Sequence, residues 1–362
     1  MRGKRCRVRA ATAPSPSPDS LTTNPTEERA GRTLSIMGIR GVPANHGGFE
    51  TFAERLAPYL VAAGWRVTVY CQEEGVEPMR ESKWNGVRRV HIGAGPDTAA
   101  STVRFDWACV SHAIRERPSM VLTLGYNPAA LGLRLRAAGI PNVTNMDGIE
   151  WSRKKWGPMA RAWLYINERL ACLGSTHLVA DHPRIASHLA TRVSARKITT
   201  IPYGAEPIEP RTDPAPLGSL HLLPHRFATV IARPEPENSI LEIVQAFSAQ
   251  PRGIELIVLG NYKPESNAYH ARVMSAASPE VRFVGAIYDP AVVQALRSNG
   301  VFYLHGHRVG GTNPSLLEAM GAGHPIIAHD NEFNRWVAAD GAAYFIDTTS
   351  CAQHIERLLR NP

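Results

Sequence analysis

Short apolar runs and stretches with helical spacing alternate along most of the chain. Leu34 to Gly38 reads as a buried strand, and a loop rich in glycine and proline follows from Ile39 to Gly48. Phe49, Phe52, Ala53, Leu56 and Leu60 then line one face of a helix that stops at Gly64. The pattern predicts further strands at Trp65 to Cys71, Met120 to Leu124, Asn142 to Met146, Thr176 to Ala180 and Lys197 to Ile201, with a hairpin-like stretch at Val87 to Ile92. Helices are expected at about 101–117, 157–173 and 184–190. Between Pro202 and Pro224 the periodicity lapses and six prolines accumulate, which marks a hinge over 202–224. The alternation then restarts: strands at 227–232, 254–259, 281–285 and 301–304, helices at 239–247, near Ala268, at 290–297 and after Asn313, and a last helix at 352–360. Strands alternating with helices imply parallel, doubly wound sheets. The architecture predicted is α/β: two Rossmann-like domains, 33–201 and 225–362, facing a cleft in which ligands meet the carboxyl ends of the strands.

Residues 1–32 stand apart. Arg2, Lys4, Arg5, Arg7 and Arg9 precede a run of Pro, Ser and Thr with almost no large apolar residue, the composition of a disordered leader. It has no apolar core of a secretory signal. It reads either as a basic arm for a membrane or nucleic acid, or as translation assigned from too far upstream.

Composition narrows the classes. The 362 residues are 44% hydrophobic, enough for two cores, and no apolar run approaches the roughly 18 to 20 residues that cross a bilayer. The expectation is a cytoplasmic protein, soluble or peripheral on the membrane face. Cys6, Cys71, Cys109, Cys172 and Cys351 form no Cys-x-x-Cys pair, so neither a zinc ribbon nor a disulfide framework is indicated. A net charge of +8 favours an anionic partner, and the basic residues follow no nucleic-acid motif, so no nucleic acid is expected.

Candidate chemistry concentrates in HGHRVGGTNPSLLEAMGAG, His305 to Gly323. Gly310 and Gly311 free the backbone to turn, Thr312 follows, Asn313 suits an N-cap, and Pro314 suits the first helical position. The amides of the first turn, at Ser315 and Leu316, with the helix dipole behind them, favour an anion. Glu318 lies about a turn further on, where a carboxylate can accept hydrogen bonds from sugar hydroxyls. Together they suit a nucleotide diphosphate; the alternative is a helix that Asn313 merely caps and whose Glu318 meets solvent. Arg233, where a strand exits in IARPEPEN, can neutralise a diphosphate, or is a solvated loop residue. Gly47 and Gly48 stand directly before the first helix, where their amides can approach a phosphate or an acceptor, or form only a tight turn. Asp147 follows a predicted strand and can orient sugar hydroxyls or take a proton. Beyond it, Glu150, Trp151, Arg153, Lys154, Lys155 and Trp156 suit a membrane-surface anion such as a polyprenyl diphosphate, or a helix start with tryptophans tucked into the core. The chain contains no Asp-x-Asp, and His305 and His307 are expected to diverge, so no metal is expected.

The segments GIRGVPANHGGFETFAERL, NMDGIEWSRKKW, IPYGA, ARPEPEN and HGHRVGGTNPSLLEAMGAG, in that order, resemble the rhamnosyltransferase-like branch of the family 4 glycosyltransferases of GT-B fold, over about Thr33 to Phe345. The resemblance implies a retaining, metal-independent, cofactor-free transfer of a sugar, rhamnose from dTDP-rhamnose, to a lipid-linked saccharide acceptor in polysaccharide assembly. By the same resemblance Glu318 holds the ribose, the amides near Pro314 to Leu316 the diphosphate, and Arg233 the leaving phosphate; Gly47 and Gly48 border donor and acceptor, and Asp147 touches the transferred sugar. Three departures stand out. Gly310 occupies a position where the broader family has Glu, and Glu237 one where it generally has Lys, which shifts the electrostatic load onto Arg233 and the helix amides, with Arg308 as a further contributor. Related enzymes also continue beyond the position of Pro362 with helices that pack on the first domain, so weakened domain closure is expected. The rival expectations are a nucleotide-sugar 2-epimerase on the same fold and a nucleotide-sugar-binding protein without turnover.

Overall fold

The structure, a computed structural model, describes residues 31–44, 47–96, 98–153, 156–207 and 213–360, so nearly all of the expected leader lies outside the described residues. The first half runs β1 (Thr33–Met37), α1 (Gly48–Ala62), β2 (Arg66–Glu73), β3 (Arg80–Trp84), β4 (Val87–Gly93), α2 (Ala99–Glu116), β5 (Met120–Leu124), α3 (Ala129–Ala137) and β6 (Asn142–Asn145). It continues with α4 (Pro158–Gly174), β7 (His177–Ala180), α5 (Pro183–Ala190) and β8 (Ile198–Thr200). The strands form one sheet in the order β3-β4-β2-β1-β5-β6-β7-β8, and only β3 is antiparallel to its neighbour. β1 lies inside the sheet and is covered on both faces. Leu34 and Ile36 pack with Ala53 and Ala57 of α1, while Met37 packs with Phe105 and Cys109 of α2. A strand buried on both sides carries apolar residues on both faces, which is why the run at 34–37 is apolar apart from the buried Ser35.

The second half runs β9 (Phe227–Ile231), α6 (Ile240–Ser248), β10 (Glu255–Leu259), α7 (Ala268–Ser275), β11 (Val281–Gly285), α8 (Pro290–Asn299), β12 (Tyr303–His305), α9 (Pro314–Gly321), β13 (Ile326–His329), α10 (Glu332–Ala338), β14 (Ala342–Phe345) and α11 (Thr348–Arg360). Its six strands are parallel in the order β11-β10-β9-β12-β13-β14. Part of the stretch read as a hinge belongs to this core: a 3-10 turn at Ala215–Leu220 buries Leu217 with Leu222, Phe227 and Leu296. Proline spacing masked that apolar contact.

A buried carboxylate organises the far end of the first sheet. Glu168 on α4 is 1% exposed and accepts from Trp151 Nε1 at 2.7 Å and Arg192 Nε at 3.2 Å, with His188 Nε2 at 3.0 Å. The Trp151 ring packs edge-on against Tyr165. This network pins the 3-10 turn Glu150–Ser152, and so fixes where the following residue, Arg153, can reach. Glu168→Ala strands a guanidinium and an indole N–H in a buried site, and the midpoint of denaturant unfolding should report a loss of about 3 kcal/mol.

Candidate functional site

The carboxyl ends of strands from both sheets open on one cleft of about 650 Å³. The first domain lines it with Gly47, Gly48, Asp147, Arg153, Asp181 and Tyr203. The second lines it with Arg233, His307 and the run Gly310 to Ser315. Most of the polar residues singled out in the sequence therefore meet in one place.

At the head of α9 the turn is built by its residue types. Gly310 takes φ +123°, a conformation that suits glycine. Asn313 is the N-cap, with its Oδ1 accepting from the Ser315 amide at 3.0 Å, and Pro314 opens the helix without a proton to leave unpaired. The Leu316 side chain is fully buried and its amide closes onto Asn313 O at 3.2 Å, so this residue anchors the helix while the turn before it faces the cleft.

The opposite wall reaches into that turn. Asp181, following β7 of the first domain, accepts from the Thr312 amide at 2.9 Å through Oδ2, and the Thr312 hydroxyl donates to the Asp181 carbonyl. Gly311 permits this approach: a Cβ built there would lie 2.0 Å from Asp181 Oδ1. Burial, then the charge of Asp147, push the Asp181 pKa up to about 7 against the pull of the Thr312 N–H. Asp147 itself sits in the left-handed region at φ +54°, with its amide donating to Asn145 Oδ1 at 3.2 Å. Nearby, Tyr126 orders the turn by accepting from the Glu150 amide at 2.9 Å.

Two guanidiniums approach from opposite walls. Arg233 is exposed at the end of β9. Arg153 comes from the first domain, bonded to Glu150 beside it and across the cleft to Glu237, whose Oε1 accepts from its Nε at 2.9 Å. Burial works against the Arg153 charge, but Glu237 and Glu150 outweigh it and hold the pKa above its ordinary value. Burial together with the Arg233 and Arg153 charges pushes His307 down to about 3, so the ring between them is neutral.

Several residues fall elsewhere than the sequence reading put them. Arg153 belongs to the cleft rather than to an outward face. Trp151 is directed into the first domain, where Glu168 supplies the acceptor its indole needs. Glu150 is occupied by Arg153 and by the Trp156 indole at 3.1 Å. Trp156 is exposed, and Lys154 and Lys155 lie outside the described residues. Glu318 is off the cleft lining and paired with Arg297 at 2.5 Å. Arg308 turns to α6, bonding Ser239 Oγ and Glu242 Oε1 at 2.7 Å each. His305 and His307 do not diverge: their rings stack at 4.4 Å, because side chains two apart on an extended strand return to the same side. Among the described residues no three His, Cys, Asp or Glu side chains converge as metal ligands would.

The residues unanticipated in the sequence are Asp181, Tyr203 and the strand-end set Leu259, Gly260, Asn261, Ala286, Ile287 and Tyr288. The last group follows directly from predicted strands at 254–259 and 281–285, so the rule that ligands meet strand carboxyl ends was the available signal. Of these, Leu259, Ala286 and Ile287 join Ile231 as the apolar part of the lining on the side of Arg233.

Two parallel-sheet, Rossmann-like domains facing such a cleft define the GT-B fold, and solved structures share it. Sucrose-phosphate synthase from Thermosynechococcus elongatus superposes with a TM-score of 0.74 at 17% identity, covering 91% of this chain and 90% of that one. The Anabaena protein HepE in complex with UDP and glucose gives 0.68 at 13% identity, covering 91% and 90%. An alpha,alpha-trehalose-phosphate synthase (UDP-forming) from Burkholderia vietnamiensis gives 0.67 at 12% identity, covering 91% and 92%. Residues 47–204 match the family described as Glycosyl transferase 4-like domain, and residues 229–361 the family described as Glycosyl transferases group 1; the chain is a GT-B glycosyltransferase built from these two domains. No curated protein matches the sequence.

Proposed function

We propose that the protein is a retaining, metal-independent glycosyltransferase that moves rhamnose from dTDP-rhamnose to a lipid-linked saccharide in cell-surface polysaccharide assembly, at the cytoplasmic face of the membrane. The observation that carries the reading is the convergence of Arg233, Arg153 and the Gly310 to Ser315 turn on one cleft between the domains. In the reaction the bond from the anomeric carbon to the diphosphate oxygen breaks, and the acceptor oxygen bonds to that carbon on the same face. The acceptor proton passes to the departing phosphate, and the guanidiniums, with the positive end of α9 behind the Gly310 to Asn313 turn, stabilise the charge that develops there. The base lies against Ile231, Leu259 and Ile287, and Asp147 orients the transferred sugar.

Membrane contact draws support from α4. Met159, Trp163 and Ile166 are exposed at helical spacing near Trp156, with Arg161 and Arg169 beside them, the mixture that suits an anionic lipid surface. No helix of the described residues is long and apolar enough to cross a membrane.

The test is a panel of nucleotide sugars, dTDP-rhamnose and UDP-glucose included because related structures hold UDP and glucose, screened for protection against heat and then for nucleoside diphosphate release with acceptor. An epimerase would instead return a rearranged nucleotide sugar without acceptor. A binding protein would be stabilised and release no sugar. Glu318 gives a second check. If it leaves Arg297 to hold the ribose, Glu318→Ala raises the KM for the donor about tenfold with little change in kcat. An unchanged KM removes it from the site.

A further inference from the structure

The Asp181 carboxylate occupies the place where an anion would meet the head of α9. Its Oδ2 takes the Thr312 amide, its backbone carbonyl is held by the Thr312 hydroxyl, and its side chain presses on Gly311. The residue lines the cleft and is 2% exposed, and its buried Oδ1 has no hydrogen-bond partner among the described residues. A carboxylate oxygen buried with nothing to accept from is costly, and a phosphate brought beside it would add repulsion. The same oxygen carrying a proton becomes a donor aimed at that phosphate.

We infer that Asp181 takes up one proton when a nucleotide sugar binds, Oδ2 keeping the Thr312 amide while the protonated Oδ1 donates to a diphosphate oxygen. The inference rests on the donor-site reading above. The groups that bear on Asp181 favour it. Asp147, from the loop after β6, is the neighbouring charge and disfavours ionisation of Asp181. Tyr203, after β8, is held above its ordinary pKa by burial and by Asp147 and Asp181, so it stays neutral. Gly311 and Thr312 carry no charge. His182, next in sequence, turns to α10, its ring 4.6 Å from Trp336 and 5.0 Å from Phe333, and burial keeps its pKa low despite Glu332.

In the unbound protein burial and then the Asp147 charge push the Asp181 pKa up to about 7. A nearby diphosphate raises that value, so affinity is level on the acid side and falls as pH rises through it. The probes are UDP-glucose and dTDP-rhamnose, whose diphosphates have no free terminal group titrating in this range. Calorimetric titration between about pH 6 and 8.5, in buffers of different protonation enthalpy, should show uptake approaching one proton per ligand and an affinity that drops up to about tenfold per pH unit above 7. Asp181→Asn, permanently neutral, should bind with no proton uptake and a level pH profile. Tight binding by the wild type without proton uptake overturns the inference and leaves the donor site standing. The same slope in Asp181→Asn also overturns it, by tracing the proton to another group. The wild-type proton count decides the matter even if the variant fails to fold, and a wild type that binds no nucleotide sugar at all overturns the donor site and this inference together.

Discussion

Arg233→Ala is expected to lower the turnover of a nucleotide sugar about 100- to 1,000-fold, the usual cost of removing one preorganised donor from a developing negative charge. The side chain is exposed on the cleft wall, so stability should change by no more than about 0.5 kcal/mol. Kinetics at saturating donor separate the effect from binding: a loss in kcat places the guanidinium on the leaving phosphate, whereas a loss confined to KM places it on the bound ground state. Combining Arg233→Ala with Arg153→Ala then asks whether the two walls act on one group. A joint loss smaller than the product of the single losses means that they share the diphosphate. Equal turnover in wild type and Arg233→Ala would withdraw the site.

The second large effect is expected from one methyl group. Gly311→Ala puts a carbon 2.0 Å from Asp181 Oδ1 and 2.2 Å from Oδ2, a contact that only displacement can relieve. The displaced carboxylate leaves the Thr312 amide without its acceptor, and the head of α9 moves off the first domain. Stability should fall by about 1 to 3 kcal/mol, and donor affinity at least about tenfold. The discriminating measurement is the double variant. Gly311→Ala with Asp181→Ala removes the clash and should recover the part of the loss that the clash causes, leaving the double variant about as stable as Asp181→Ala alone, in which the Thr312 amide is likewise without its acceptor. A Gly311→Ala protein as stable as wild type, with unaltered affinity, would show that the two walls do not meet as described.

The elements that create the cleft were legible because their signals are local. The mostly apolar run at 34–37, the glycines at 47–48 and Asn313-Pro314 mark a strand, a helix start and a capped turn from a few neighbouring residues. α3 escaped because its buried positions include Ala129 and Gly132, too small to produce an apolar stripe, and β3 because its sequence, RESKW, is polar. The strands β13 and β14 are four residues each, too short for alternation to register. The site was legible in its parts and not in its pairings. Asp181 meets Thr312 across 131 positions and Arg153 meets Glu237 across 84, and no periodicity carries information over such separations. Glu237 read, by the resemblance, as an acid standing where a lysine is usual. It is the residue that holds Arg153 against the opposite wall.

The acidic side chain lodged beside the turn at Thr312 also bears on inhibitor chemistry. A ligand that presents a permanent double negative charge has to bring a proton with it into this seat, and it loses potency as the medium becomes more alkaline. Neutral surrogates of the pyrophosphate, with carbonyl or sulfonyl acceptors at the same spacing, meet no such opposition. They should therefore lose less affinity than the natural linkage as the pH rises above neutrality, while giving up the attraction of Arg233.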